Sequence, residues 1–344
     1  MAADIAEQPE VLARLLTSQH AGAIATVAAA VAARRPRHIV LTARGTSDHA
    51  ALYAAYLAEI RLGLPAGLAS PSAITLYGAR PDLRDALVIG VSQSGGSPDL
   101  AEVLRTARAA GALTLAVTNT PGSPLTEVAE LAIDVAAGHE RAVAATKTYT
   151  AELLALLMLI EGVRAGDGVL PKAEHTALDA LPELARQALA DPTPVGLAPR
   201  YRFAGRLVTT GRGYAYPTAR EAALKLMETS YLAALAFSGA DLLHGPLAMT
   251  DPDVPVLAVV GAGPGGASMR EVLAKLGERR ADVVVVGPSP VDGAAAHLPV
   301  PPVDERHAPL LDILPLQRLA LALALARGED PDSPRGLRKV TATR

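Results

Sequence analysis

The sequence predicts an α/β protein made of two tandem doubly wound parallel-sheet modules, with helices before them and a tail after them. Three observations predict it. Apolar strand-like runs alternate with helical patterns along most of the chain, the pattern of a parallel sheet covered on both faces. One such run, Ala86-Leu87-Val88-Ile89-Gly90-Val91, stops abruptly in Ser92-Gln93-Ser94-Gly95-Gly96-Ser97 and leads into a helical pattern from Asp99. The chain also matches itself. With Arg44-Gly45 laid on Arg212-Gly213, Val88-Ile89 falls on Val256-Leu257 and Thr114 to Val117 falls on Asp282 to Val285. Agreement at one glycine is cheap, but agreement across three strand-and-loop units marks a duplication.

The elements follow in order. Residues 1–34 read as amphipathic helices, Ile5 to Ser18 and Ala21 to Ala33. Module one, residues 35–165, opens with a strand at His38 to Ala43, a turn at Arg44 to Asp48 and a helix at His49 to Arg61. A short strand follows near Ala66 to Ala69, then a strand at Leu87 to Val91, a helix at Asp99 to Ala110 and a strand at Leu113 to Asn119. A last strand near Leu131 to Val135 precedes the loop Gly138 to Thr146 and a long helix at Lys147 to Gly162. Residues 166–199 form a helical linker broken at Asp191-Pro192-Thr193-Pro194. Module two, residues 200–328, has strands at Arg206 to Thr210, Val254 to Val260 and Asp282 to Val286, with helices at Pro217 to Thr229, Ser268 to Arg279 and Leu310 to Arg327. The helix at Pro217 is read as continuing into the apolar run Tyr231 to Phe237. Residues 329–344 are a polar tail.

Composition narrows the function. At 344 residues and 50% hydrophobic content, the chain can bury a core in each module. A net charge of −3 with interspersed acids and bases leaves no nucleic-acid footprint. The absence of cysteine excludes disulfides, thiolate metal sites and thiol nucleophiles, and fits a reducing cytoplasm. Met1 to Gln8 carries acids where a signal peptide carries bases, and the apolar run Leu153 to Ile160 is too short to cross a bilayer, so no membrane role is expected.

The chemistry concentrates in a few places. A buried strand feeding a glycine-rich turn and a helix start directs several backbone N–H groups at one spot, which suits a phosphate. Ser92, Gln93, Ser94 and Ser97 add neutral donors there, and Thr46 and Ser47 end the first strand on the same side of the sheet. The plainer alternative is that these hydroxyls only cap helices. The second module has Val260-Gly261-Ala262 in place of Ser-Gln-Ser. Lys225 and Glu228 share a helix face, as a simple surface ion pair would. His244-Gly245-Pro246, with Asp241 nearby, is a fixed loop histidine suited to acid–base work. Gly261-x-Gly263-x-x-Gly266 formally matches a dinucleotide fingerprint. It is discounted, because Pro264 removes an N–H and no acid ends the next strand. There is no Walker lysine, no metal-spaced histidine pair and no Gly-x-Ser-x-Gly elbow, so neither cofactor nor metal is expected. His139-Glu140 forms a polar pair in the Gly138 loop without further support.

These residues resemble the flavodoxin-like sugar isomerase (SIS) domain family, and within it the isomerase half of glutamine:fructose-6-phosphate amidotransferases and the stand-alone glucosamine-6-phosphate deaminases. The resemblance rests on Arg44-Gly45-Thr46-Ser47, Ser92-Gln93-Ser94-Gly95, the run Glu140 to Lys147, Ala223-Leu224-Lys225-Leu226-Met227-Glu228, His244-Gly245-Pro246-Leu247, Pro315-Leu316-Gln317 and Pro334-Arg335. It implies that Ser47, Ser92, Gln93, Ser94 and Ser97 hold the phosphate of a hexose or hexosamine 6-phosphate, with Thr46, Val143 and Ala145 in the sugar pocket. It further implies Glu228 as the C1–C2 base with Lys225 beside it. Lys339 would be a tail lysine able to form an imine with the open-chain sugar. His244 would open the ring in the neighbouring subunit of a homodimer.

Departures qualify the substrate. No amidotransferase domain with an N-terminal cysteine nucleophile is present, so glutamine is not expected to supply ammonia. Ala145 replaces an expected serine, while Asp241 and Leu243 replace the usual Glu and Lys. The leading expectation is a cofactor-free conversion of glucosamine 6-phosphate to fructose 6-phosphate and ammonia. Dehydration of N-acetylglucosamine 6-phosphate or another sugar-phosphate lyase reaction is the second. A fructosamine phosphate as the amine, or a sensor without turnover, completes the set.

Overall fold

Three helices precede the first strand in the computed structural model, which describes residues 1–337: α1 (Ala2–Ala6), α2 (Gln8–Leu15) and α3 (Ser18–Arg34). The single helix expected from Ile5 to Ser18 is broken at Glu7. Pro9, at the second position of α2, has no N–H to bond into a preceding turn, so it starts a helix and does not continue one. By internal contacts the described chain divides into a first unit, Glu10–Glu140 with Lys147–Ala180, and a second unit, Met1–Pro9 with Arg141–Thr146 and Leu181–Leu337.

The first unit holds β1 (His38–Thr42), α4 (Thr46–Leu57), β2 (Ala66–Leu68), α5 (Pro71–Thr75), β3 (Ala86–Ser92), α6 (Pro98–Ala109), β4 (Leu113–Thr118), α7 (Pro124–Val128), β5 (Leu131–Asp134), α8 (Lys147–Ala165) and α9 (Lys172–Asp179). Its strands form one parallel sheet in the order β2-β1-β3-β4-β5. Every residue of β3 and β4 is buried, as strands covered on both faces must be. α3, α4 and α8 pack together, and α5, α6 and α7 form a second group whose core includes Ile74, Leu100, Leu104 and Leu125. The turn expected at Arg44 to Asp48 is shorter than the sequence suggested. Gly45, at φ +56°, starts α4 at Thr46, which places Thr46 and Ser47 in the helix's first turn.

The second unit repeats the plan. It holds α10 (Leu181–Ala190), α11 (Thr193–Tyr201), β6 (Arg206–Gly211), α12 (Ala215–Ser230), β7 (Ala233–Ser238), α13 (Gly239–Leu243), β8 (Pro255–Val259), α14 (Pro264–Glu278), β9 (Asp282–Gly287), β10 (Ala296–Pro299) and α15 (Pro309–Ala326). Its parallel sheet runs β7-β6-β8-β9-β10, the same order as the first when strands are numbered within each module. Duplication and fold class therefore stand as the sequence implied.

One reading is corrected. The helix through Lys225 does not continue into Tyr231 to Phe237: Tyr231 takes a left-handed conformation at φ +53°, ends α12, and the run becomes the edge strand β7 against β6.

α15 is the one described helix whose length and mean hydropathy of 1.5 would suit a membrane, yet 72% of it is buried inside the protein. It packs on α10, α11 and α12. Asp312 lies within this apolar helix, fully enclosed. Burial, reinforced by the negative charge of Glu305, pushes its pKa up to about 8. The folded chain thus keeps a proton that the unfolded chain, titrating near 3.8, has already released. Stability should fall as pH rises between those two values and level off above the upper one. Asp312→Asn carries no such proton. Its advantage over wild type should widen by up to about 1.4 kcal/mol per pH unit across that window, as read by urea denaturation from pH 4 to pH 9. An advantage that does not change with pH would contradict the assignment.

Candidate active site

In the first unit, β1 and β3 are adjacent and parallel, with Thr42 opposite Gly90, so the loops that follow them emerge side by side. Arg44 ties these loops together. Its guanidinium meets the buried carboxylate of Asp99 at 2.9 and 3.0 Å, reaching from the β1 loop to the first turn of α6. Ser92 is buried, while Gln93, Ser94 and Ser97 are partly exposed around the helix start. The Ser92 and Ser94 hydroxyls accept the N–H groups of Gly95 and Gly96 at 3.2 and 3.3 Å. Gly95 sits at φ +59°, and a side chain there would collide with Ser123. The Gln93 carbonyl accepts from the backbone of Asn119 and the hydroxyls of Thr118 and Thr120. Asn119 in turn donates to the Gly138 carbonyl at 2.7 Å and accepts from Ala137 at 2.8 Å, joining the serine loop to the loop after β5. Half-buried Thr46 adjoins Ser47, whose hydroxyl donates to the buried carboxylate of Glu152 at 2.9 Å.

The second unit carries the candidate acid–base groups. Lys225 is fully buried on α12, 3.3 Å from Glu221 and 2.5 Å from Glu228. Burial alone would lower the lysine's pKa. The two carboxylates outweigh it and raise it, so the ammonium stays charged. Glu221 is fully enclosed, whereas Glu228 keeps 21% of its surface. This is a buried network ending in one accessible carboxylate, not the surface pair that spacing alone would permit.

His244 follows α13 and is exposed, next to Gly245 at φ +128°. Asp241 is accounted for locally. Its backbone N–H donates to the Ser238 hydroxyl, which donates to the Asp241 carboxylate at 2.7 Å, a reciprocal cap on α13. Leu243 packs on the apolar core of this unit. The tail is anchored near the end of α12: Tyr231 accepts from the Arg335 backbone at 2.6 Å and carries its guanidinium 4.1 Å above the ring. Lys339 lies outside the described residues.

The glycine-rich loop of the second module is filled from within. The Glu305 carboxylate accepts from the backbone of Gly266 at 3.2 Å and of Gly265. A methyl group at Gly263 or Gly265 would strike it. These glycines admit a carboxylate of the chain itself where a dinucleotide fingerprint would hold a phosphate. Pro264 takes the first position of α14, where a missing N–H costs little.

Residues 140–147 complete the picture. Glu140 is buried and accepts from the Lys147 backbone at 2.9 Å, while His139 is exposed. Ala142, Ala144 and Thr146 are buried, and Val143 and Ala145 between them are partly exposed. Sequence reasoning passed over Glu152, Asp99, Asn119, Glu221 and Glu305. Only Glu221 had a usable signal, its four-residue spacing from Lys225.

Comparison with known proteins gives the family. The SIS domain family model matches residues 34–162 and 201–327, one stretch in each module. The chain is 37% identical over 316 residues to the glutamine–fructose-6-phosphate aminotransferase (isomerizing) of Gloeobacter violaceus, covering 88% of this chain and 51% of that protein. It thus spans about half the length of the curated relatives it matches. Among solved structures, the C-terminal domain of glucosamine-fructose-6-phosphate aminotransferase from Francisella tularensis superposes with a TM-score of 0.86 at 26% identity, over 96% of this chain and 97% of that one. A Silicibacter pomeroyi protein provisionally named a phosphosugar isomerase also superposes at 0.86, with 36% identity over 96% and 98% of the two chains. With both halves matched by one family model and the duplicated sheets behind them, this chain belongs to the SIS domain family.

Proposed function

We propose that this chain converts glucosamine 6-phosphate to fructose 6-phosphate and ammonia. The observation that carries the reading is the network on α12: a charged, buried lysine holding one accessible carboxylate in a fixed place. In this reading Ser47, Ser92, Gln93, Ser94 and Ser97 grip the phosphate, and Thr46, Val143 and Ala145 line the sugar. His244 opens the ring. In the open-chain aldehyde Glu228 removes the C2 proton and returns it to C1 while the C1 oxygen takes a proton, leaving a C1 hydroxyl and an imine at C2. Lys339 adds to C2 and displaces ammonia, forming its own imine there, and water hydrolyses that imine to free the C2 ketone and the lysine. Two of the relatives described above are named for fructose 6-phosphate, which supports the substrate class.

A second reading draws on Val143 and Ala145, two partly exposed apolar side chains where the family expects a hydroxyl at the second. Such a surface favours an N-acetyl group. The amide nitrogen could not leave as ammonia, so loss of the C2 proton would expel the C3 hydroxyl as water. Purified protein given glucosamine 6-phosphate should release ammonia. An ultraviolet-absorbing product from the N-acetyl sugar, without ammonia, would favour dehydration. Binding of both without turnover would make the protein a sensor.

Glu228→Gln should lower turnover by about 10²- to 10⁴-fold while leaving inorganic phosphate affinity unchanged. Lys225→Met strands Glu221 and Glu228 beside each other and should cost about 3–5 kcal/mol in chemical denaturation, with part of the loss recovered in Glu221→Gln/Lys225→Met.

The reading also includes a homodimer in which His244 serves the neighbouring copy. Refolding Glu228→Gln together with His244→Ala should then restore roughly a quarter of wild-type activity, because half the dimers regain one of two sites. No recovery would place both residues in the same copy's site.

A further inference from the structure

We propose that Asp4 and Gln8 are positioning residues for the sugar, holding the segment that presents Val143 and Ala145; this rests on the sugar-phosphate reading above. Asp4, in α1, is fully buried. Its carboxylate accepts the backbone N–H of Arg141 at 3.2 Å and of Ala142 at 3.0 Å. Its neighbour Ile5 shares an apolar cluster with Ala142, against Leu189 and Leu321. The Arg141 guanidinium reaches Glu7 at 2.8 Å, which fixes the same corner from outside.

The other end of the segment is held through amides. Gln8 is buried and donates to the Ile5 carbonyl at 3.0 Å and to Gln317 Oε1 at 2.8 Å. Gln317, on α15, spends its own Nε2 on the Thr146 carbonyl at 3.3 Å. Residues 141–146 are thus gripped at both ends by polar groups aimed at their backbone. Between the grips, Val143 and Ala145 are the two partly exposed side chains.

Helix docking alone would not call for this chemistry. Apolar contacts would seat α1 on α15, and a buried carboxylate carries a desolvation cost that such contacts avoid. What the carboxylate adds is direction, because two N–H groups must point at it with defined geometry. The segment has little regular structure to fix itself, so its shape depends on these partners.

Asp4→Asn keeps one acceptor and Asp4→Ala keeps none. Amide hydrogen exchange at Arg141 and Ala142 should quicken in that order, by about tenfold or more in Asp4→Asn, with α6 unchanged. The KM for glucosamine 6-phosphate should rise about tenfold in Asp4→Asn, with kcat within about threefold and inorganic phosphate affinity unchanged. Gln317→Met should act in the same direction. If Asp4→Ala fails to fold, the asparagine variant still decides. Unchanged exchange at Arg141 and Ala142 overturns the proposal, as does an equal weakening of sugar phosphate and inorganic phosphate. The exchange measurement needs no substrate: quickened amides with a wild-type enzyme inert toward hexosamine phosphates would leave the clamp standing and overturn the functional reading instead.

Discussion

A lysine ammonium removed from water keeps its charge only where anions replace the hydration it gave up. At Lys225 burial pulls the pKa down, and two carboxylates on the same helix push it up and prevail. The requirement reaches well beyond one residue. Glu221, Lys225 and Glu228 must share a face, which demands an unbroken α12. That face must be buried, and α12, with Ala219, Ala222 and Ala223 buried along it, packs against β6 and α15. The helix must also end soon after Glu228. Tyr231 ends it by turning left-handed, then uses its hydroxyl and ring to hold Arg335. The helix that carries the accessible carboxylate thus leads directly into the strand that follows and into the residue that holds the start of the tail.

Much of this fold was legible in the sequence because buried parallel strands announce themselves. β3 and β4 are solid apolar runs, and both appear where periodicity puts them. The duplication made the second module readable from the first. What was lost were elements without a periodic signal: α5, α7 and α13 have five residues each and β10 has four, too short to reveal a period. β7 was hidden for another reason. Its apolar residues continue directly from an amphipathic helix, and the break depends on the backbone angle of Tyr231, a residue type that rarely takes it.

The candidate site divides along similar lines. Residues in short motifs, such as Ser92 to Ser97 and Lys225 with Glu228, were found because their partners lie within a few positions. Partners across the fold were invisible. Nothing near Ser47 in the chain points to Glu152, and nothing near Arg141 points to Asp4, because hydrogen bonds between residues over a hundred positions apart are set by tertiary packing. Asp241 shows the opposite effect. Read against a family pattern it looked like an altered pocket residue, whereas its spacing from Ser238 is that of a helix cap.

The two glycine-rich loops show how one ancestral solution diverged. Each follows the middle strand of its sheet and opens a helix, so each collects backbone N–H groups at the carboxyl edge. Such groups need an acceptor when enclosed. In the first module, serine hydroxyls accept from Gly95 and Gly96, and the helix start stays open to solvent. In the second, Glu305 supplies the acceptor permanently, and glycines at 263 and 265 give it room. An external anion entering the second arrangement would have to displace a carboxylate tethered a few ångströms away. The serines of one loop and the glutamate of the other are thus alternative acceptors for the same kind of backbone donor. Once the chain provides its own anion, hydroxyls that would help bind an external one have no work left there.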